Sequence, residues 1–228
     1  MQATPWTQRY GSTALITGAS SGIGEQFAQQ LAQKGFDLLL TARREPQLQA
    51  LKAKLERDHG VEVSCIVCDL CAPQQVEKLI EQALAADVGL VISNAGYGVP
   101  KGAYLSIEPA ALDAMYEANS LAPARLARAL LPAMVARGRG GYIFTGSIEG
   151  DVVIPWSSSY AATKAFLHNL VLGLWHEVKG SGVDVLLLAP GATDTDAPLK
   201  QGITRDQLAG IMSPALVAQL ALQQLGRR

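Results

Sequence analysis

Charge is scarce in this 228-residue chain: Asp, Glu, Lys and Arg make up 17% of it and cancel to a formal net charge of −1. No basic stripe is available to track a phosphate backbone, so no nucleic acid partner is expected. Long apolar runs are also missing. The first ten residues hold Pro5, Trp6 and Arg9 but no apolar leader segment, and no later stretch reaches the length of a membrane span. A cytoplasmic protein without a membrane partner is therefore expected. Cysteine is limited to Cys65, Cys68 and Cys71, an odd number that argues against a disulfide framework. Their C-x2-C-x2-C spacing suggests a metal or iron-sulfur site, but the fourth Cys is absent. On a strand, Cys65 and Cys68 would also point to opposite faces, so packed, reduced thiols are expected. His59, His168 and His176 are dispersed without ligand spacing. They read as surface or half-buried side chains, and no metal site is expected.

What the chain does have is apolar content, 49% of its residues, enough at this length to bury the core of one α/β domain spanning residues 1–228. Short apolar runs alternate with segments of helical period. Strands are expected at residues 14–17, 37–41, 61–68, 89–93, 142–145 and 183–189. Between them, Phe27, Ala28, Leu31 and Ala32 mark the inner face of a first helix, closed by Gly35. Leu48, Leu51 and Leu55 mark a second, and Val76, Leu79, Ile80, Ala83 and Leu84 a third that opens at Pro73. A long helical region over residues 110–134 is expected to break near Pro123, and a further helix covers residues 160–178. Strands without polar alternation, separated by helices, imply a parallel sheet covered on both faces, a doubly wound Rossmann-type fold of six strands. Right-handed crossovers place the C-terminal ends of all strands along one edge, where ligands bind. Gly18, Arg43, Asp69, Asn94, Ser147 and Pro190 each follow one of these strands in turn.

Two motifs on that edge carry chemistry. Thr17-Gly18-Ala19-Ser20-Ser21-Gly22-Ile23-Gly24 follows a strand and opens a helix, so its glycines let the backbone approach a pyrophosphate at a helix N-terminus. Tyr160 and Lys164 share one helix face, one turn apart, which can bring the ammonium beside the phenol. A phenol with a pKa of about 10 exchanges protons poorly at neutral pH. One positive charge about 4 Å away, at an effective dielectric near 20, supplies the roughly 4 kcal/mol needed to bring it to about 7. Ser147, upstream across a loop, can hold the oxygen that the phenol protonates.

Taken in order with Ser93-Asn94-Ala95-Gly96, Asn119 and Pro190-Gly191, these motifs resemble those of the short-chain dehydrogenase/reductase family over residues 12–195. The resemblance implies that Tyr160 is the general acid/base, that Lys164 lowers its pKa and binds the nicotinamide ribose, and that Ser147 orients the substrate oxygen. It further implies that Asn119 holds a water in a proton relay. Gly18, Ser20, Ser21, Gly22, Ile23 and Gly24 resemble the pyrophosphate turn, and Asp69 and Leu70 the adenine contacts. Asn94, Ala95 and Gly96 resemble the floor beneath the adenosine ribose, and Pro190, Gly191, Thr193 and Thr195 the segment flanking the nicotinamide and phosphates.

The residues after the second strand bear on cofactor choice. A carboxylate there bonds both ribose hydroxyls of NAD, whereas a 2'-phosphate needs a guanidinium. Position 42 is Ala, followed by Arg43 and Arg44, so NADP(H) is expected, with Arg43 on the phosphate and Arg44 stacking on the adenine. Residues 192–212, with Leu199, Ile203, Leu208 and Ile211, are expected to form a lid over an apolar pocket. Thr193-Asp194-Thr195-Asp196 reads as a solvated turn rather than a cation loop. Glu149 lies two residues after Ser147; an outward-facing carboxylate is favoured over one turned to the substrate. The chain stops after a helix that opens at Ser213-Pro214, so a seventh strand is not expected, and a homodimer through the two long helices is. The expected activity is reduction of a medium-sized, largely apolar carbonyl compound by NADPH. The alternatives are an NADP-binding regulator without turnover, or an epimerase or dehydratase on the same scaffold.

Overall fold

The computed structural model describes residues 4–152, 154–204, 208 and 210–227. Residues 205–207 and 209 of the expected lid lie outside the described residues. Six strands form one parallel sheet: β1 (Thr13–Thr17), β2 (Asp37–Ala42), β3 (Val63–Val67), β4 (Leu90–Ser93), β5 (Gly140–Thr145) and β6 (Val183–Leu188). Their spatial order is β3-β2-β1-β4-β5-β6, with the reversal of direction between β1 and β4. A crevice opens at such a reversal because the connections on either side diverge to opposite faces.

Both faces are covered, which explains why the strands lack polar alternation. Leu38 and Leu40 of β2, Ala14 and Ile16 of β1, and Leu90 and Ile92 of β4 pack on one side. They meet α2 (Gly22–Gln33), α3 (Glu45–His59) and α9 (Pro214–Gln224) there. Leu39, Leu15 and Val91, one position along, face the other side with α4 (Pro73–Ala85), α6 (Ala122–Ala136) and α7 (Ser158–Glu177). Cys65 joins the first side and Cys68 and Cys71 the second, so the three thiols are divided by the sheet and all are free. Burial pushes each of them up, Cys68 to about 11.

The long helical region is interrupted near Pro123, as expected, but by a change of winding rather than a break. Pro123 opens α6 on a continuous helical backbone, so its missing N–H leaves the Asn119 carbonyl four residues earlier without its helical donor. The interruption is a π-helical turn, Glu117–Leu121, between α5 (Pro109–Tyr116) and α6. Its wider winding turns Asn119 fully inward. The last helix, α9, begins where expected, with the Ser213 hydroxyl accepting the Leu216 N–H.

At the N-terminal end of the sheet, a short helix α1 (Pro5–Tyr10) is clamped by Asp184 of β6. The carboxylate accepts the Tyr10 hydroxyl at 2.9 Å and an Arg9 N–H at 2.6 Å. Tyr10 also crowds Gly89, where an added Cβ would stand 1.7 Å from the Tyr10 carbonyl oxygen. Gly89→Ala therefore requires a backbone shift and is expected to cost about 3 kcal/mol of stability, read as a lower urea midpoint with unchanged slope.

Candidate active site

The loops at the C-terminal ends of the strands enclose a cavity of about 570 Å³. It runs from Arg43, Asp69 and Leu70 past the glycine turn to Ser147, Tyr160 and Lys164. All the strand-end residues singled out in the sequence except Gly24 open onto it or adjoin it. Asn119 stands behind the wall.

At the glycine turn, Gly18 and Gly22 have φ of +70° and +60°, a region that side chains disfavour. Gly24 is required by contact instead, since a Cβ there would meet the Gly18 carbonyl oxygen at 2.3 Å. Ser21 precedes α2 without capping it by a side-chain bond. The first N–H groups of α2 are thus left for an anion, together with the positive end of the helix dipole. Thr195 abuts this turn and caps α8 (Asp196–Lys200) by accepting the Ala197 N–H at 3.3 Å.

Arg43 and Arg44 are both exposed at the cavity's far end. The Arg44 guanidinium is engaged with the turn, donating to Ser21 Oγ at 2.7 Å and Ser20 Oγ at 3.0 Å. It therefore lies across the serines of the turn. No acid side chain occupies position 42, so the donor set suits a phosphate better than a ribose diol.

Thr17 ties the centre of the cavity together. Its hydroxyl accepts the backbone N–H groups of Asn94 and Ala95, each at 2.9 Å, and its carbonyl accepts Asn94 Nδ2 at 3.2 Å. Beyond it, Asn119 is locked on Tyr97: Oδ1 accepts the Tyr97 N–H at 3.0 Å, and Nδ2 donates to the Tyr97 carbonyl at 2.7 Å. Gly96 has no side chain because a Cβ would press on Asn119 Oδ1 and Lys164 Nζ, both at 3.2 Å.

Ser147, Tyr160 and Lys164 converge from two elements. Ser147 leaves β5 and caps a 3₁₀ turn, Ile148–Gly150, its Oγ accepting the Glu149 N–H at 3.2 Å. That bond uses a lone pair and leaves the hydroxyl proton free to donate. Lys164 is buried, with Nζ donating to the Thr145 carbonyl at 3.0 Å and standing 5.5 Å from the centroid of the Tyr160 ring. The expected tuning is not what this geometry gives. Burial pushes the Tyr160 phenol up to about 12, the Glu149 carboxylate adds to this, and a hydrogen bond with Ser147 opposes it. Burial also pushes the Lys164 ammonium down to about 8. Desolvation of the phenol is the dominant cause, and the Lys164 charge is not among those that act on it.

Three further expectations need correction. Glu149 does not face outward: its side chain is only 15% exposed, opens on the cavity, accepts the Ser157 hydroxyl and lies 3.5 Å from Lys101 Nζ. His168 is buried rather than half-buried, with Nδ1 2.7 Å from Asp151 Oδ1. Thr193 is buried, not solvated: it pairs with Met212 and closes the base of the segment over the cavity. Of that segment, Pro198, Ile203 and Leu208 line the cavity.

A family model described as short chain dehydrogenase matches residues 12–206. The chain belongs to the short-chain dehydrogenase family. This family member is 31% identical to a 7beta-hydroxysteroid dehydrogenase of Clostridium sardiniense, over 97% of this chain and 85% of that one. It is 33% identical to a very-long-chain 3-oxoacyl-CoA reductase of Podospora anserina over 77% of its own length, and it spans about half (53%) of that relative. Among solved structures, a short-chain dehydrogenase from Sphingobium yanoikuyae in complex with NADPH superposes with a TM-score of 0.89 at 35% identity, covering 93% of this chain and 83% of that one. The oxidoreductase scaffold and doubly wound sheet are those of the family.

Proposed function

We propose that the protein is an NADPH-dependent carbonyl reductase, reversible as an alcohol dehydrogenase. The observation that carries this is the opening of the uncapped glycine turn and of Ser147, Tyr160 and Lys164 into one cavity. Bound NADPH would be held by the α2 N-terminus, Arg43 and the floor of Asn94, Ala95 and Gly96, and it supplies the hydride. The Ser147 hydroxyl donates to the carbonyl oxygen and fixes it. Tyr160 gives that oxygen its proton as negative charge develops there. Lys164, beside the ring, and Asn119, on the Tyr97 backbone, hold the proton route in place.

At the substrate end, Ile148, Ile154, Ile203 and Leu208 provide the wall, which favours a medium-sized, largely apolar carbonyl compound. The names of the relatives point the same way, since a hydroxysteroid and a very-long-chain acyl group are both bulky and apolar. We also place the protein in the cytoplasm, where three unpaired thiols stay reduced. A homodimer through the two long helical regions, residues 110–134 and 160–178, is supported by the outward Val135, Phe166, Leu172 and Trp175, apolar side chains exposed on α6 and α7.

A panel of ketones, aldehydes and quinones, followed by loss of NADPH absorbance, tests the activity. Consumption of cofactor with formation of an alcohol supports it. Binding without turnover points to a regulator, and product without cofactor consumption to an epimerase or dehydratase. Cofactor choice has its own test. Arg43→Ala is expected to weaken NADPH by about 30-fold, the value of a charge-assisted pair, and to leave NADH nearly unchanged. An unchanged preference in titration would reject Arg43 as the phosphate ligand.

A further inference from the structure

Glu149 and Lys101 play no part in the mechanism above, yet both line the cavity that holds Tyr160. The Glu149 main chain is fixed by its N–H on Ser147 Oγ, and its carboxylate is gripped by the hydroxyl of Ser157, the N-cap of α7 three residues before Tyr160. Lys101 reaches the same carboxylate at 3.5 Å from the loop after β4. This is a long contact, and the two side chains are 27% and 15% exposed. Glu149 is thus held on the cavity wall it shares with Tyr160 by its main chain on Ser147 and its carboxylate on Ser157, with Lys101 in long contact.

We propose that Glu149 is a positioning residue for the Tyr160 proton: its charge keeps the phenol protonated and ready to deliver to a carbonyl, and Lys101 sets how much of that charge the phenol feels. The proposal rests on Tyr160 being the proton donor and assigns Glu149 a role beyond it. Among the described residues, the other ionisable groups on the cavity lining are Lys164 on the same helix as Tyr160, Tyr97 and Asp196, with Arg43, Arg44, Asp69, Cys68 and Cys71 towards its nucleotide end, and the Asp151–His168 pair lies behind the Ser147 loop. Among the causes acting on Tyr160, the Glu149 carboxylate is the charge that raises it. A negative charge disfavours the phenolate, so removing Glu149 moves the titration down, and removing the Lys101 ammonium moves it up.

Glu149→Gln keeps the volume and an acceptor for Ser157, and Lys101→Met keeps the stem and removes the ammonium. In ketone reduction by NADPH, which needs the protonated phenol, the alkaline limb of the pH profile is expected to move about one pH unit lower in Glu149→Gln. It should move upward, by less, in Lys101→Met. Glu149→Asp, which keeps the charge, should restore the wild-type limb. The same order is expected when the phenol of the cofactor-free protein is titrated by NMR of isotope-labelled tyrosine, with Tyr160→Phe assigning the signal. Profiles that coincide in the two variants, or shift in the same direction, overturn the proposal. A wild type that reduces no carbonyl while the NMR titrations shift in opposite directions would sink the reductase reading and keep only the coupling of Glu149 and Lys101 to the phenol.

Discussion

Tyr160→Phe is expected to lower kcat for carbonyl reduction by about a thousandfold, within the range of lost general acid catalysis, and to leave NADPH affinity within about twofold. The separation follows from the site. Phe fills the same volume in the cavity wall, so the glycine turn, Arg43 and the Thr17 hub that organise the nucleotide end are untouched. Only the proton is missing. The Ser147 hydroxyl remains as a donor to the carbonyl oxygen, but no acid then stands beside it, and the proton must come from solvent. Single-turnover rates and cofactor titration separate the two effects; a variant that kept more than about a tenth of wild-type kcat would place the acid elsewhere.

Lys164→Met is expected to do two things of opposite sign. Activity should fall by about a hundredfold, because the ammonium that supports the proton route is gone. Stability at neutral pH should rise by about 2 kcal/mol. Lys164 is buried with a backbone carbonyl as its hydrogen-bond partner, and burial lowers its pKa to about 8 from the usual 10.5. Below about 8 both the folded and unfolded chains carry the proton, so the folded chain bears the full cost of a buried cation. As pH rises from about 8 towards 10.5, the folded chain releases its proton first and the cost fades. Wild-type stability should therefore climb across that window relative to Lys164→Met, whose profile lacks this contribution. Denaturant melts at several pH values measure it, and a methionine variant no more stable than wild type at neutral pH would show that the ammonium is compensated in the fold.

The sheet and the strand-end residues were legible because each signal is local. Leu38 to Leu40 are apolar at consecutive positions because the sheet is buried on both sides, and that pattern is visible without knowing the partners. The glycine turn is legible for a similar reason: positive φ at Gly18 and Gly22, and the close contact at Gly24, exclude other residues. What escaped depends on distant chain segments. Pro123 marks the interruption in the sequence, but not that it takes a π form that turns Asn119 onto Tyr97, 22 residues away. The inward turn of Glu149 needs Lys101 and Ser157, which come from two other loops. The shift of Tyr160 was not legible because helical spacing shows the neighbouring Lys164 but not the enclosing wall whose desolvation dominates.

The Asp184 clamp carries a practical consequence. Arg9 reaches the Gly226 carbonyl at 3.4 Å as well as Asp184, and the Tyr10 hydroxyl lies 3.5 Å from the carbonyl of Leu225. Residues from the two far ends of the fold are thereby stapled at the foot of the sheet, opposite the mouth of the cavity. Substrate-range engineering can therefore be confined to the upper loops without loosening the knot beneath them.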